Sequence, residues 1–182
     1  DSVPLLPSSD HTSPTRPVAC LTVVKRALLG GTFDPPHLAQ HVAGEAAKRA
    51  LGDDVITFHP AGAPWQKADD GVTAAHHRWE RTRQAVAGVD YFEADGREVD
   101  RDGWTYTIDT VRSFPDDDET ALILGSDAAA GIPSWQEADE LLERVSVAVA
   151  ERPGTDRNAV ERAIGPVDWL DMPLLPVSGP QL

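Results

Sequence analysis

Gly30-Gly31-Thr32-Phe33-Asp34-Pro35-Pro36-His37 is the stretch on which the fold turns. It follows Arg26-Ala27-Leu28-Leu29, a short apolar run that reads as a strand entering a tight turn. Beyond Pro36, residues 37–50 are rich in alanine and favour helix, and Gly52 marks a stop. Val55-Ile56-Thr57-Phe58, closed by Pro60, supplies a second buried strand. Ala75, Trp79, Thr82 and Val86 then repeat at helical spacing, with Gly88 just beyond, so this stripe is expected to face the core. Residues 91–94 read as a strand, 106–113 as a short helix and 121–124 as a strand ending at Gly125. Residues 136–144 read as helix, 145–150 as strand, 158–164 as helix and 167–172 as a last strand. Strands alternating with helices predict an α/β fold, a mostly parallel sheet with helices on both faces. Such a sheet binds its ligand at the carboxyl ends of its strands, near the point where strand order reverses. The segments to read for chemistry are therefore 30–37, 60–67, 125–127 and 151–154.

The chain has 182 residues, enough for one domain, with 16 Lys and Arg against 30 Asp and Glu and a formal net charge of −14. Its hydrophobic share of 41% and charged share of 25% exclude a mostly disordered chain. The acidic excess argues against a nucleic-acid partner, which needs a basic footprint. It leaves room for a small anionic substrate, because a few local donors outweigh a screened surface field. Cys20 stands alone, which excludes an internal disulfide framework and a multi-cysteine metal site. No apolar run approaches the ~18 residues of a membrane span, so no membrane partner is expected and the cytoplasm is the default location. Residues 1–22 carry Pro4, Pro7, Pro14 and Pro17 among Ser and Thr and read as an N-terminal arm, disordered or not native. Residues 23–182 read as the single domain, and the ending Val177-Ser178-Gly179-Pro180-Gln181-Leu182 as an interrupted chain. A homo-oligomer is left open.

The first turn is neither common phosphate loop: it has no G-x-G-x-x-G, and no Gly-Lys pair occurs in the chain. Paired glycines after a strand nonetheless let a ligand approach the backbone. The helix beyond Pro36 offers free N–H groups and a positive dipole end to an anion. His37 and Gln40, at i and i+3, are able to face the same phosphate. His41, one position on, turns away by roughly 100°. His37 and His41 lack a third ligand and the Glu of a metalloprotease helix, so no metal site is expected there. His76 and His77 read as a solvated helix start, and His59 as either a packed histidine or a ligand contact.

These residues resemble the nucleotidyltransferase superfamily whose signature is a His-x-x-His helix start, and within it the bacterial nicotinate-mononucleotide adenylyltransferases. Residues 30–37 match the family's G-G-x-F-D-P-x-H opening. Further matches follow in the family's order: Pro64-Trp65-Gln66-Lys67, Gly103-Trp104-Thr105-Tyr106-Thr107, Gly125-Ser126-Asp127 with Trp135 eight residues on, and Arg152-Pro153-Gly154. The resemblance implies a Rossmann-like fold of the nucleotidyltransferase type. It also implies transfer of AMP from ATP to nicotinate mononucleotide, giving deamido-NAD and pyrophosphate. The attacking phosphate is already ionised, so the reaction rests on in-line holding and charge stabilisation and needs no general base. Mg2+ would travel with the ATP phosphates, without a protein cage.

By the same resemblance, Gly30, Gly31, Thr32, Phe33 and His37 hold ATP. Gly125, Asp127 and Ser178 complete its site, with Asp127 facing the adenosine sugar. Tyr106 and Thr107 would receive the nicotinate carboxylate through N–H and hydroxyl donors, Trp135 would stack on the pyridine ring, and Lys67 and Arg152 would add positive charge. Trp65 and Trp104 would sit on loops near the substrate. Two positions depart from the family. Gln40 stands where the second signature histidine belongs, keeping a donor but losing an imidazolium. The Arg expected soon after Leu182 is missing. His37 and Gln40 are the catalytic candidates. The alternatives are a catalytically impaired nucleotide-binding homologue, or another acceptor such as nicotinamide mononucleotide.

Overall fold

Successive side chains of a strand point to opposite faces, and a buried strand must therefore feed two cores. In β1 (Lys25–Gly31), Ala27 and Leu29 enter one core and Leu28 the other. The same division runs through β4 (Glu119–Gly125) and β5 (Ser146–Ala150); β2 (Val55–Pro60) gives Ile56 and Phe58 to the first core and buries the polar Thr57 and His59 at its alternate positions, with β3 (Phe92–Ala94) and β6 (Asp168–Trp169) at the edges. The structure, a computed structural model, describes residues 23–63 and 71–175. Its strands form a 6-stranded sheet in the order β3-β2-β1-β4-β5-β6, with every pair parallel.

One face is covered by α1 (Leu38–Leu51) and α2 (Ala75–Val86). α1 buries Ala43, Ala46 and Ala47, whose small side chains bring the helix close to the sheet. Gly44 is part of this approach, since a Cβ there would lie 3.0 Å from the Phe92 ring. The other face carries α3 (Thr107–Arg112), α4 (Ser126–Gly131), a 3-10 turn over Ile132–Ser134, α5 (Ala138–Arg144) and α6 (Arg157–Ile164). Ile108, Val111, Ala129, Ile132, Leu141 and Val160 fill that core.

Three expectations are corrected. The helix expected from 136 starts at 138, after an unforeseen α4 and 3-10 turn. The segment Ser126-Asp127-Ala128-Ala129-Ala130 favours helix, but a run this short shows no periodicity to read. The last strand is two residues long and lies at the sheet's edge. In α2 the buried side chains are Arg78, Thr82 and Val86, not the full stripe through Ala75 and Trp79. Trp79 is half-buried, its ring packed over Gly96, where a Cβ would come within 2.9 Å of Nε1. A charged residue takes the core position because three carbonyl oxygens there need a donor.

Strand order runs from β1 outward through β2 and β3 on one side and through β4, β5 and β6 on the other. The reversal lies between β1 and β4, and a crevice opens at their carboxyl ends.

Candidate active site

The first wall of the crevice is the turn after β1. Phe33 adopts a left-handed backbone (φ 51), unusual for a bulky residue, which drives its ring into the core against Phe58 at 5.9 Å. Gly31 has no room for a side chain, since a Cβ would meet that ring at 3.3 Å and the Gln40 amide nitrogen at 3.4 Å. Over Gly30 there is open space, which is the crevice itself. α1 begins after His37, whose extended backbone (φ −139, ψ 162) makes it the N-cap. The His37 N–H donates to Gln40 Oε1 at 3.0 Å. That bond commits the Gln40 carbonyl oxygen to the helix start and leaves its NH2 group toward Gly31 and the crevice.

Burial lowers the pKa of His37 below its ordinary value, and the neighbouring Arg152 and His41 add to the effect. At neutral pH His37 is therefore a neutral donor. His41 points away, with Nε2 2.9 Å from the Ala85 carbonyl and its ring against Phe58 and Phe92.

The second wall comes from the ends of β4 and β5. A Cβ on Gly125 would stand 3.0 Å from Arg152 Nε, so the glycine makes room for that guanidinium. Arg152 pairs with Asp127 at 3.2 Å, and both side chains are exposed. The Arg152 loop is fixed from behind: its N–H donates to Ser126 Oγ and Thr155 Oγ1, each at 3.3 Å, and those two hydroxyls are 2.5 Å apart. Between the walls lies a cleft of about 750 Å³, lined among others by Gly30, Gly31, His37, Gln40, Gly125 and Arg152.

Of the other candidates, Thr32 and Phe33 line this cleft, while Asp127 sits outside its lining. Tyr106, Thr107 and Trp135 lie on the α3 and α4 side of the sheet and do not line it. Tyr106 is the N-cap of α3, and both it and Trp135 pack half-buried on the second core. Trp104 is 49% exposed on the preceding loop. Lys67 and Ser178, with Trp65 and the arm at 1–22, lie outside the described residues.

Sequence reading missed Arg78, which is 1% exposed and donates to the carbonyls of Thr73, Thr32 and Gly62. The available signal was its place four residues before Thr82 and eight before Val86, a spacing that reads as a buried face if a charge is allowed there. It also missed Glu98, and it left His59 open between a packed or hydrogen-bonded histidine and a ligand contact; both prove to be buried ionisable groups. His59 is 2% exposed with no protein partner on either ring nitrogen, and burial pushes it down to about 4. Glu98 accepts from the Thr110 hydroxyl at 2.6 Å, and burial pushes it up to about 7.

Among the described residues, no group of three or more His, Cys, Asp or Glu is placed to hold a metal ion, and no helix is long and apolar enough to cross a membrane. The carboxylates flanking the cleft are committed elsewhere. Asp34 accepts from the Thr73 N–H at 2.7 Å and pairs with Arg81, and Glu151 is bound by Arg157.

The parallel sheet carries a glycine turn, a helix start and a facing guanidinium at its reversal point, and the cytidylyltransferase-like family model matches residues 28–179, which places the chain among the nucleotidyltransferases. The chain is 36% identical over 159 residues to the probable nicotinate-nucleotide adenylyltransferase of Salinibacter ruber, covering 85% of this chain and 82% of that protein. It is 39% identical over 155 residues to the probable nicotinate-nucleotide adenylyltransferase of Frankia casuarinae, covering 82% and 81%. It belongs to the nicotinate-nucleotide adenylyltransferase family and is an enzyme of the nucleotidyltransferase class. Its fold is similar to that of Plasmodium falciparum nicotinic acid mononucleotide adenylyltransferase complexed with NaAD, with a TM-score of 0.72 at 17% identity over 87% of this chain and 82% of that one. Nucleotidyltransferases of this kind generally use a divalent metal.

Proposed function

We propose that the protein transfers the adenylyl group of ATP to nicotinate mononucleotide, releasing deamido-NAD and pyrophosphate. The observation that carries this reading is the two-walled cleft at the reversal between β1 and β4. It sets the α1 N-terminus, His37 and the Gln40 amide opposite Arg152. A phosphate oxygen of nicotinate mononucleotide attacks the α-phosphorus of ATP. The bond from that phosphorus to the bridging oxygen breaks, and the electron pair leaves on pyrophosphate. Negative charge builds on the non-bridging and leaving oxygens, where fixed donors act most strongly. His37 and Gln40 supply neutral hydrogen bonds, and Arg152 supplies the positive charge. Gly30 and Gly31 let the triphosphate lie against the backbone, and Asp127 holds the adenosine sugar. The nicotinate carboxylate is received at Tyr106 and Thr107 with Trp135 on the ring, and Lys67 and Ser178 close the site. Mg2+ would come bound to the ATP phosphates and help neutralise them, since the flanking carboxylates are engaged elsewhere. A cytoplasmic location goes with this reading.

Pyrophosphate release tests it, measured with ATP, magnesium and nicotinate mononucleotide on the full chain beside Gln40→His. Turnover by the native chain establishes Gln40 as a working residue. Silence in the native chain with recovery in Gln40→His makes it an impaired binding homologue. Silence in both, with turnover on nicotinamide mononucleotide, overturns the acceptor assignment.

A further inference from the structure

Arg78 is the largest of the fully buried side chains among the described residues, and the adenylyl transfer makes no direct use of it. Among the described residues its guanidinium forms no ion pair within 4.0 Å. It binds backbone instead: Nε donates to the Thr73 carbonyl at 2.7 Å, Nη1 to Thr32 at 2.7 Å and Nη2 to Gly62 at 2.9 Å. The three carbonyls belong to three segments. Thr32 lies in the turn after β1, Gly62 in the turn after β2, and Thr73 leads into α2.

We propose that Arg78 is a positioning residue that fixes the nucleotide-binding turn after β1 against the acceptor-side turn after β2. The proposal rests on the adenylyl-transfer reading for what each turn holds. The β1–β2 ladder continues to the bond from the Ala61 N–H to the Gly31 carbonyl at 2.9 Å. Beyond that point Arg78 joins the two turns through its bonds to the Thr32 and Gly62 carbonyls. Gly62 is set further by the next connection, because a Cβ there would overlap the Glu98 carbonyl oxygen. Ala63 and Thr105 exchange bonds, from the Ala63 N–H to Thr105 Oγ1 at 3.1 Å and from the Thr105 N–H to the Ala63 carbonyl at 3.2 Å. Thr105 immediately precedes Tyr106 and Thr107. A continuous set of contacts thus runs from the turn beside ATP to the start of α3, with the guanidinium at its first joint. An apolar side chain would fill the same volume without desolvating a charge. What it lacks is a planar fork that holds two turns at a set spacing, which a lysine ammonium also lacks.

The test uses the full chain with Arg78→Lys, Arg78→Met and Arg78→Ala. Each variant is first assayed by thermal melt, so that rates are expressed per folded molecule. The proposal expects kcat to fall ~10²-fold, the effect of a displacement of about 1 Å between reacting groups. KM should rise for both ATP and nicotinate mononucleotide. Millimolar methylguanidinium should return rate to Arg78→Ala. A role confined to core stability predicts lower melting points with kcat and both KM values within twofold of the native chain, and that result overturns the proposal.

Amide hydrogen exchange supplies a readout independent of turnover. Without ligand, Arg78→Lys should accelerate exchange at 32–34 and at 61–63 together; acceleration confined to the residues around 78 overturns the proposal. In the native chain, Mg–ATP should slow exchange at 61–63 as well as at 32–34. Protection confined to the first turn also overturns it, even if no variant folds. A native chain that binds ATP but releases no pyrophosphate with this acceptor refutes the acceptor assignment and leaves the exchange result to decide Arg78.

Discussion

A single amide shows how the chemistry of this site depends on what each atom is already doing. Gln40 was legible as a departure from the family's helix start, but its consequence was not. Sequence spacing does not reveal that Oε1 is taken by the His37 N–H, so that the NH2 group is what remains for a ligand. Gln40→Glu separates the two duties. The carboxylate keeps the cap acceptor while replacing the cleft-facing donor with negative charge. Steady-state kinetics should show kcat/KM reduced ~10²–10³-fold, the usual loss for a transition-state donor. The melting temperature should stay within a few degrees; a collapse of the fold with unchanged kinetics per folded molecule would reverse the assignment. Arg152 offers a second check. Its charge helps hold the His37 pKa below the ordinary value, after the larger effect of burial. In Arg152→Gln an NMR titration should find the His37 pKa raised relative to the native chain.

The elements were more legible than their joints. Sequence reading located the strands as short apolar runs bounded by glycine or proline, and five of the helices from helix-favouring runs and, in α2, a 3.6-residue repeat. It failed where a polar side chain serves backbone groups from distant segments, as Arg78 does for Thr32 and Gly62. It also failed at the connection from β3 to α3, where Glu98 is buried against Thr110. That connection makes a pH-dependent contribution to stability with a definite sign. Glu98 rises from an ordinary 4.5 to about 7, so the native state keeps a proton that the unfolded chain has lost. Its contribution is full below pH 4.5 and disappears as pH rises through 7. His59 in β2 falls from 6.5 to about 4, so its contribution is full above pH 6.5 and disappears as pH falls toward 4. Between about pH 4.5 and 6.5 the two slopes oppose. Glu98→Gln, which retains the acceptor for Thr110, removes one of them. Denaturant melts should then show the variant gaining stability relative to the native chain as pH rises from 4.5 to 7, by about 3 kcal/mol over the full shift. Parallel curves for the two proteins would place the Glu98 carboxyl in water.

For the whole molecule, the charge of −14 is the dominant surface fact. Exposed pairs such as Lys25–Glu119 at 3.0 Å and Arg83–Glu80 at 2.9 Å contribute ~0–1 kcal/mol each and weaken in salt. Repulsion among the excess carboxylates weakens too, and it outweighs the attraction within those pairs. The melting temperature should therefore rise from ~0.1 M to ~1 M sodium chloride, over which the Debye length shrinks from ~10 Å to ~3 Å. A flat or falling response would mean that the pairs outweigh the excess. The parallel sheet imposes its own order on events in time. Contacts between β1 and β2 are made early in the chain, as with the Lys25 N–H and Asp54, 29 residues apart. The join between β1 and β4 is remote, as with the Val24 N–H and Asp118, 94 residues apart, and closing the longer loop costs about 1 kcal/mol more. The crevice straddles that remote join, with Gly30 and Gly31 on one bank and Gly125 and Arg152 on the other. A half-assembled sheet therefore has one bank and no complete cleft. In stopped-flow experiments Mg–ATP should slow unfolding while leaving the refolding rate unchanged, because the nucleotide meets the chain after its last seam has closed.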